Sequence, residues 1–364
     1  MDSIKIIGNN LPESFVRIQS EIYRNEKVTG NDDLTLDEET IISELNKVNK
    51  IIQNFTEDNE IVLYTDHSSY RFIGIFNTNT SSCLLGFFES MNNSSVDHAI
   101  QKIKKDCLDR GMIEIIGPIN FNTYLPYRLR LNNPVWGRFD SEPYNPLYYN
   151  EIFTRNKFEI VQQYESRLIK KENIKDVYIN KKELLEALKQ IPYNFIPINK
   201  EFWRNNTYEI FELIHLIFSG NPFYKSISFS QFNLLFGEDY LNRLCPLSSV
   251  IFQDKITQEL AGISLCMPNY ESLNLKNQKP NFTEHFALLN NKTLLAKSVG
   301  VHPKYRSLGL MNYLGAYGMM SFHEYYDEVL FCTMRSDNPS LKFSDPFKYE
   351  KATYALYSCD LTKI

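Results

Sequence analysis

The sequence has little that would mark a membrane, secreted, metal-binding or nucleic-acid-binding protein. Its densest apolar run, Ile210 to Phe218, is short of bilayer length and broken by Glu212 and His215, so no spanning segment and no membrane partner are expected. The six cysteines (Cys83, Cys107, Cys245, Cys266, Cys332, Cys359) show neither C-x-x-C nor C-x-x-H spacing and mostly sit in apolar stretches. They read as buried free thiols, which leaves neither a zinc site nor a disulfide framework. There is no excess of positive charge: 39 Lys and Arg face 44 Asp and Glu, a net charge of −5, so no general attraction to nucleic acid is expected. Met1-Asp2-Ser3-Ile4-Lys5 lacks the basic-then-apolar order of a secretory leader, and the expected location is the cytoplasm.

What is present is abundant core material. Apolar residues make up 43% of the chain, including 25 Phe and 23 Tyr, and 364 residues suit two domains better than one. Asp37 to Phe55 places Ile41, Ile42, Leu45, Val48 and Ile52 at helical spacing. Strands are expected at 61–65, 70–77 and 82–89, then a helix at 96–110 closed by Gly111 and a strand at 112–116. Asn120 to Tyr144, rich in Tyr, Arg, Pro and Asn, reads either as a lid or substrate wall or as a loop packed on the other domain. A strand is expected from Phe158, and Lys170 to Lys189 reads as a charged helical stretch. A break at Pro192 to Pro197 and helices at 208–218 and 229–236 follow. A hairpin at 247–253 and 259–268 and a long polar excursion, Asn269 to Asn291, lead to a strand at 293–301.

That strand opens the stretch around which the chain is organised. Thr293 to Val301 is apolar and ends in small and β-branched residues, Pro303 stops it, and Leu308 to Tyr325 has helix length without proline. Gly309 in between lets the backbone come close to a ligand. A strand that turns into a helix leaves first-turn N–H groups without intrahelical partners at the positive end of the helix dipole. Such a place suits an anion, above all a phosphate.

Val301-x-Pro303 followed by Arg306-x-x-Gly309-x resembles motif A of the GCN5-related N-acetyltransferase (GNAT) superfamily, with Met311 where the family has a final Gly or Ala. The resemblance implies that backbone amides of Ser307, Leu308, Gly309, Leu310 and Met311 hold the pyrophosphate of acetyl-CoA or another acyl-CoA. It further implies that the pantetheine arm pairs with Val299, Gly300 and Val301, and that Arg306 and Asn338 belong to the cofactor site. A repeat supports a tandem arrangement. Asn145-Pro146 before the strand at Phe158 echoes Asn338-Pro339 before a strand near Lys348, while the first half lacks the arginine and glycines. The expected architecture is therefore α+β: two GNAT-like units, each a mixed, mostly antiparallel twisted sheet flanked by helices. Residues 1–185 would form a degenerate, structural or substrate-shaping unit, and 186–364 the unit carrying motif A.

The implied chemistry is acyl transfer from coenzyme A, or from an acyl carrier protein, to an amine of a small molecule or peptide. Glu259, Glu284, His285 and His302 are candidates for the base that deprotonates the amine. The family's tyrosine acid after the asparagine is missing, since Phe343 and Phe347 stand in that region, and Tyr354 is the substitute considered. The alternatives are a catalytically inactive acyl-CoA sensor and transfer from aminoacyl-tRNA; the latter calls for a basic surface that the charge does not suggest.

Overall fold

The computed structural model describes residues 2–5, 11–25, 37–56, 59–140, 142–174, 181–275 and 278–363. Its strands in chain order are β1 (Asp2–Lys5), β2 (Asn59–Thr65), β3 (Tyr70–Asn77), β4 (Ser82–Ser90), β5 (Glu114–Gly117), β6 (Leu129–Arg130) and β7 (Glu159–Lys170). They continue with β8 (Tyr193–Pro197), β9 (Val250–Asp254), β10 (Leu260–Pro268), β11 (Thr293–Val301), β12 (Glu328–Arg335) and β13 (Glu350–Asp360). The chain divides into two compact units, Met1–Tyr164 with Ala352–Ile364, and Glu165–Lys351.

In the first unit β1 to β4 form an antiparallel series, β5 joins β4 in parallel, and β13 lies antiparallel on β5. The helices Ser14–Asn25 and Glu38–Asn54 separate β1 from β2, and Ser95–Asp109 separates β4 from β5. Helix Glu38–Asn54 begins where the Asp37 carboxylate accepts the Thr40 N–H at 2.8 Å, satisfying one of the orphan first-turn donors. It buries Ile41 and Ile52, while Ile42, at the edge of the expected apolar face, stays 57% exposed. Phe72, Phe88, Val96, Ile100, Ile103 and Tyr149 lie in the core beneath the sheet.

The second unit repeats this plan. β8 to β11 are antiparallel neighbours, and β12 joins β11 in parallel. Four helices, Lys200–Asn205, Thr207–Phe218, Phe229–Leu235 and Glu238–Arg243, separate β8 from β9, and Leu310–Met319 stands between β11 and β12. The architecture is thus α+β, mixed open-sheet strands with flanking helices in each unit. Pro192 to Pro197, expected as a break, is the edge strand β8 with its proline at the end, where no ladder donor is needed. The stretch expected to be helical from Lys170 is a 3₁₀ turn at Lys171–Asn173 and a helix at Lys181–Gln190; residues 175–180 lie outside the described residues.

The division differs from a boundary after residue 185. The units part between Tyr164 and Glu165, inside β7, and the C-terminal strand belongs to the first unit rather than the second. Ala355, Tyr357, Cys359 and Leu361 are buried in the first unit's core, and Tyr357 to Asp360 pair with Gly117 to Glu114. Which sheet a terminal strand joins is decided by long-range burial, and composition along the chain carries no trace of it. All six cysteines are free and buried. No helix among the described residues is long and apolar enough to cross a membrane.

Candidate functional site

β11 and β12 run side by side only at the start. Their parallel register covers Thr293↔Glu328, Leu294↔Val329, Leu295↔Leu330 and Ala296↔Phe331, and the ladder then stops although both strands continue. At the place where it stops, Ala296 to Val299 become half-buried in the middle of the sheet, as do Thr333 to Arg335 across from them. On its other edge β11 stays paired with β10 as far as Val301↔Gly262, interrupted by a bulge whose extra residue is Lys297. The His302 N–H donates to the Ala261 carbonyl at 2.9 Å, which sets the alternation along this edge. Gly300 and Ser298 therefore bond toward β10. Val299 and Val301 turn their main-chain groups to the edge that β12 has left. The result is a wedge-shaped gap whose β11 wall presents main-chain groups with no strand partner among the described residues.

The end of β11 is fixed from below. A Cβ on Gly300 would lie 2.2 Å from the Ile217 Cγ2, so only glycine lets helix Thr207–Phe218 press onto the strand. The Arg306 guanidinium donates to the Val301 carbonyl through Nε at 3.2 Å and to the Ile217 carbonyl through Nη2 at 3.0 Å. Its side chain thus ties the loop to strand and helix, a positioning task.

Between strand and helix the chain forms a 3₁₀ helix, Pro303–Leu308, where an open loop leading straight into a helix at Leu308 was expected. Two of its amides are consumed internally: the Lys304 N–H donates to the His302 Nδ1 at 3.1 Å, and the Tyr305 N–H to the His302 carbonyl at 2.9 Å. The α-helix begins only at Leu310 and ends at Met319, followed by a short turn, Phe322–Tyr325. Gly309 precedes it with φ +73°, in the left-handed region that glycine tolerates, and no side chain caps the helix there. A Cβ on Gly309 would meet nothing within 4 Å, so the space in front of this helix start is open. The donors on offer to an anion therefore concentrate at Gly309, Leu310 and Met311, while Ser307 and Leu308 lie exposed on the approach.

The acid–base candidates fall in different surroundings. The Glu259 carboxylate accepts from the Lys304 Nζ at 2.5 Å and the Tyr305 hydroxyl at 2.8 Å. The Lys304 hydrogen bond first, then that of Tyr305, holds it below the usual carboxylate range. An exposed, ion-paired carboxylate of that kind is a weak base. Burial lowers the His302 pKa, keeping the ring neutral at pH 7, and its Nδ1 lone pair is already used by Lys304. The proton then resides on Nε2, so that atom donates and cannot accept. His285 is 6% exposed with Nδ1 accepting the Asn281 N–H at 2.9 Å, and Glu284 is exposed. Tyr354 belongs to the first unit, where it is 1% exposed with the Arg128 guanidinium 5.7 Å from its ring. This burial makes it a core residue rather than an acid open to a leaving thiolate.

Asn338 caps the 3₁₀ turn Pro339–Phe343, its Oδ1 accepting the Ser340 N–H at 3.0 Å. Its counterpart Asn145 is 4% exposed and binds β6 instead: its Oδ1 accepts the Arg130 N–H at 2.7 Å, and its Nδ2 donates to the Pro146 carbonyl at 2.8 Å. Tyr349 lies under Arg167, 4.3 Å from the guanidinium carbon.

The first unit has the same early end to its parallel pairing, after Leu84↔Ile116, yet no open wedge. The chain leaving β5 fills it. The Ile119 N–H donates to the Leu85 carbonyl at 2.9 Å, and the Asn120 Oδ1 accepts the Phe87 N–H at 2.6 Å. Arg71 donates to the Phe87 carbonyl. Further along β4, the Ser90 N–H donates to the Tyr149 hydroxyl at 3.0 Å, and the Tyr148 hydroxyl donates to the Ser90 carbonyl at 2.9 Å.

Three features of the second unit leave no mark in the sequence. The Arg335 Nη1 donates to the Asn221 Oδ1 at 3.4 Å, joining the free end of β12 to the loop after helix Thr207–Phe218. In that loop Phe223 holds φ +60°, an unusual value for a bulky side chain. A cavity of about 290 Å³ lies elsewhere in this unit, between Asn199, Leu241, Pro246 and Phe282, and touches none of the cleft residues. Among the described residues no group of three His, Cys, Asp or Glu is placed to hold a metal ion.

Four antiparallel strands, a parallel fifth that parts from the fourth, and a helix starting at the parting define the GNAT fold. The chain carries it twice, in the tandem arrangement. Among solved structures it is similar to a tandem GNAT protein from the clavulanic acid biosynthesis pathway, at 7% identity and TM-score 0.52, over 99% of this chain and 98% of that one. A probable N-acyltransferase from Enterococcus faecalis matches with TM-score 0.53 and 7% identity, over 98% and 72% of the two chains. A GCN5-related N-acetyltransferase from Kribbella flavida matches with TM-score 0.50 and 7% identity, over 100% and 73%. No protein-family model and no curated relative matches the chain.

Proposed function

We propose that this chain is an acyl-CoA-dependent N-acyltransferase whose donor site is the wedge between β11 and β12, with the first unit a degenerate copy. The observation that carries this reading is the loss of β11–β12 pairing after Ala296↔Phe331, with Val299 and Val301 facing the gap. An extended amide-bearing arm can add to β11 there as a further strand, and its phosphates would meet the amides at Gly309, Leu310 and Met311. Asn338 keeps its side-chain NH₂ for such an arm, since its Oδ1 is spent on Ser340. In the first unit Asn120, Arg71, Tyr148 and Tyr149 already occupy the corresponding main-chain groups.

A bound thioester supplies an activated acyl carbonyl to an amine. This chain's part is to hold that carbonyl near a main-chain N–H of Val299 or Val301, where developing negative charge is stabilised; one such donor is typically worth about 3 kcal/mol. Acceptor amines of small molecules or peptides are the proposed partners, and an acyl carrier protein is an alternative donor that would still thread its arm through the wedge.

A second reading, an acyl-CoA sensor without turnover, draws on the ion-paired Glu259 and on Tyr349 lying beneath Arg167. Calorimetry with acetyl-CoA, palmitoyl-CoA and free CoA, followed by thiol-release assays over an amine panel, separates the two. Binding with amine-dependent thiol release supports the transferase, and binding without it for every amine supports the sensor. No binding to any of the three removes both.

A further inference from the structure

β12 ends at Arg335, and the chain beyond it carries Asn338 at the head of a 3₁₀ turn of five residues, Pro339–Phe343. A turn that short has no cooperative stability of its own, so the groups that hold its ends decide where Asn338 points. At the near end Asn338 holds it: Oδ1 accepts the Ser340 N–H at 3.0 Å, and the main-chain carbonyl accepts the Leu341 N–H at 3.1 Å. At the far end the hold comes from Arg167 on β7, 174 residues before Leu341. Glu165 and Arg167, two apart on that strand, lie on one face of it. Arg167 is 6% exposed, and its Nη1 reaches the Leu341 carbonyl at 3.1 Å, the Ser344 hydroxyl at 2.9 Å and the Asp345 carboxylate at 2.6 Å. Its Nε donates to the Glu165 carboxylate at 2.5 Å. Ser344, fully buried, donates in turn to the Leu341 carbonyl at 2.9 Å.

We propose that Arg167 is a positioning residue of the donor site: by fixing the far end of the turn it holds the Asn338 carboxamide with its NH₂ aimed at the donor's amide-bearing arm. The inference rests on the donor site proposed above, and Arg167 itself touches neither donor nor acceptor. Burying a guanidinium is unfavourable, and a well-packed apolar side chain would serve mere cohesion as well. What the guanidinium adds is geometry, since one planar group sets three acceptors within residues 341–345 while Glu165 and the Tyr349 ring, 4.3 Å from the guanidinium carbon, fix the group itself. With the far end loose, the turn would sample several conformations and the Ser340 N–H would leave the Asn338 Oδ1. The carboxamide would then have to be ordered each time the arm binds, and affinity would fall by that ordering cost.

The test is a double-mutant cycle in the full chain, read by calorimetry with acetyl-CoA. Arg167→Lys keeps a charge beside Glu165 and Asp345 but lacks the planar fork. Ser344→Ala removes one acceptor on the turn and leaves no buried charge unpaired, so it reports even where Arg167→Lys disturbs folding. In the wild-type background Arg167→Lys should weaken binding about 5-fold or more and Ser344→Ala about 3-fold. Asn338→Ala alone should weaken it about 10-fold, and in that background either variant should add less than about 2-fold, because there is no carboxamide left to aim. A merely structural role gives the same loss in both backgrounds, since independent effects add. Equal losses in the two backgrounds, or wild-type affinity in both variants, overturn the role of Arg167. Wild-type affinity in Asn338→Ala also overturns it and leaves the transferase reading standing. A wild type that does not bind acetyl-CoA overturns the parent reading, and this inference with it.

Discussion

The side-chain carbonyl of Asn120 accepts the main-chain N–H of Phe87 at 2.6 Å, across the place where β4 and β5 part. Among the described residues the corresponding edge of β11 has no such plug, and this contrast underlies the different roles proposed for the two units. Asn120→Ala should leave the Phe87 amide unsatisfied, a loss of about 1–3 kcal/mol in denaturant unfolding. Acetyl-CoA affinity should not change. A large fall in affinity at constant stability would place a donor site in the first unit.

Gly309 owes its identity to its backbone, since nothing crowds the position of its missing Cβ. Gly309→Ala should cost about 1 kcal/mol from the left-handed φ of +73° and leave acetyl-CoA binding nearly intact. Gly309→Glu adds the same strain plus a negative charge at the proposed phosphate position, and should abolish binding. Equal affinities for the two variants would mean that no phosphate sits there.

The C-terminal strand completes the first unit. Deleting residues 353–364 removes Ala355, Tyr357, Cys359 and Leu361 from its core and strips β5 of its antiparallel neighbour. Limited proteolysis should then cut within residues 59–164 far faster than within 200–335. Uniform protection in the truncated chain would refute the assignment of β13 to the first unit's core.

Asp66 sets an acid-sensitive turn between β2 and β3. Burial acts to raise its pKa but is outweighed by donors from the Ser69 hydroxyl and the main chain of Ser69, Ser68 and Tyr70, and the carboxyl lies below its ordinary value. A depressed carboxyl contributes stability above its unfolded pKa of about 3.9, and that contribution is lost as pH falls through the folded value. Asp66→Asn should lower the melting temperature at pH 7 and flatten its fall below pH 4. An unaltered acid slope would show that the turn is not the sensor. The effect should be small, because the group is largely solvated.

The fold was readable wherever the signal was local. The largely apolar stretch Thr293–Val301, ending in small and β-branched residues, and the turn at Asp66–Ser69 yield strand and hairpin from local composition and turn chemistry. Gly309 marks the helix start because few other residues accept that φ. Less was readable at the site. Arg306 could be located, but not that it spends its guanidinium on the Val301 and Ile217 carbonyls. Glu259 could be named, but not its capture by Lys304, 45 residues away.

The amino-acid order alone determined the strand, the glycine and the helix that follow one another from Thr293 onward, because each depends on backbone preferences within a few residues. The tertiary structure alone decided that β12 diverges from β11, that the equivalent gap in the first unit is filled, and that the last strand is lent to the opposite end of the chain. Those outcomes depend on which distant groups can satisfy buried N–H and C=O groups and cover apolar surface. That competition is settled only when the whole chain is packed.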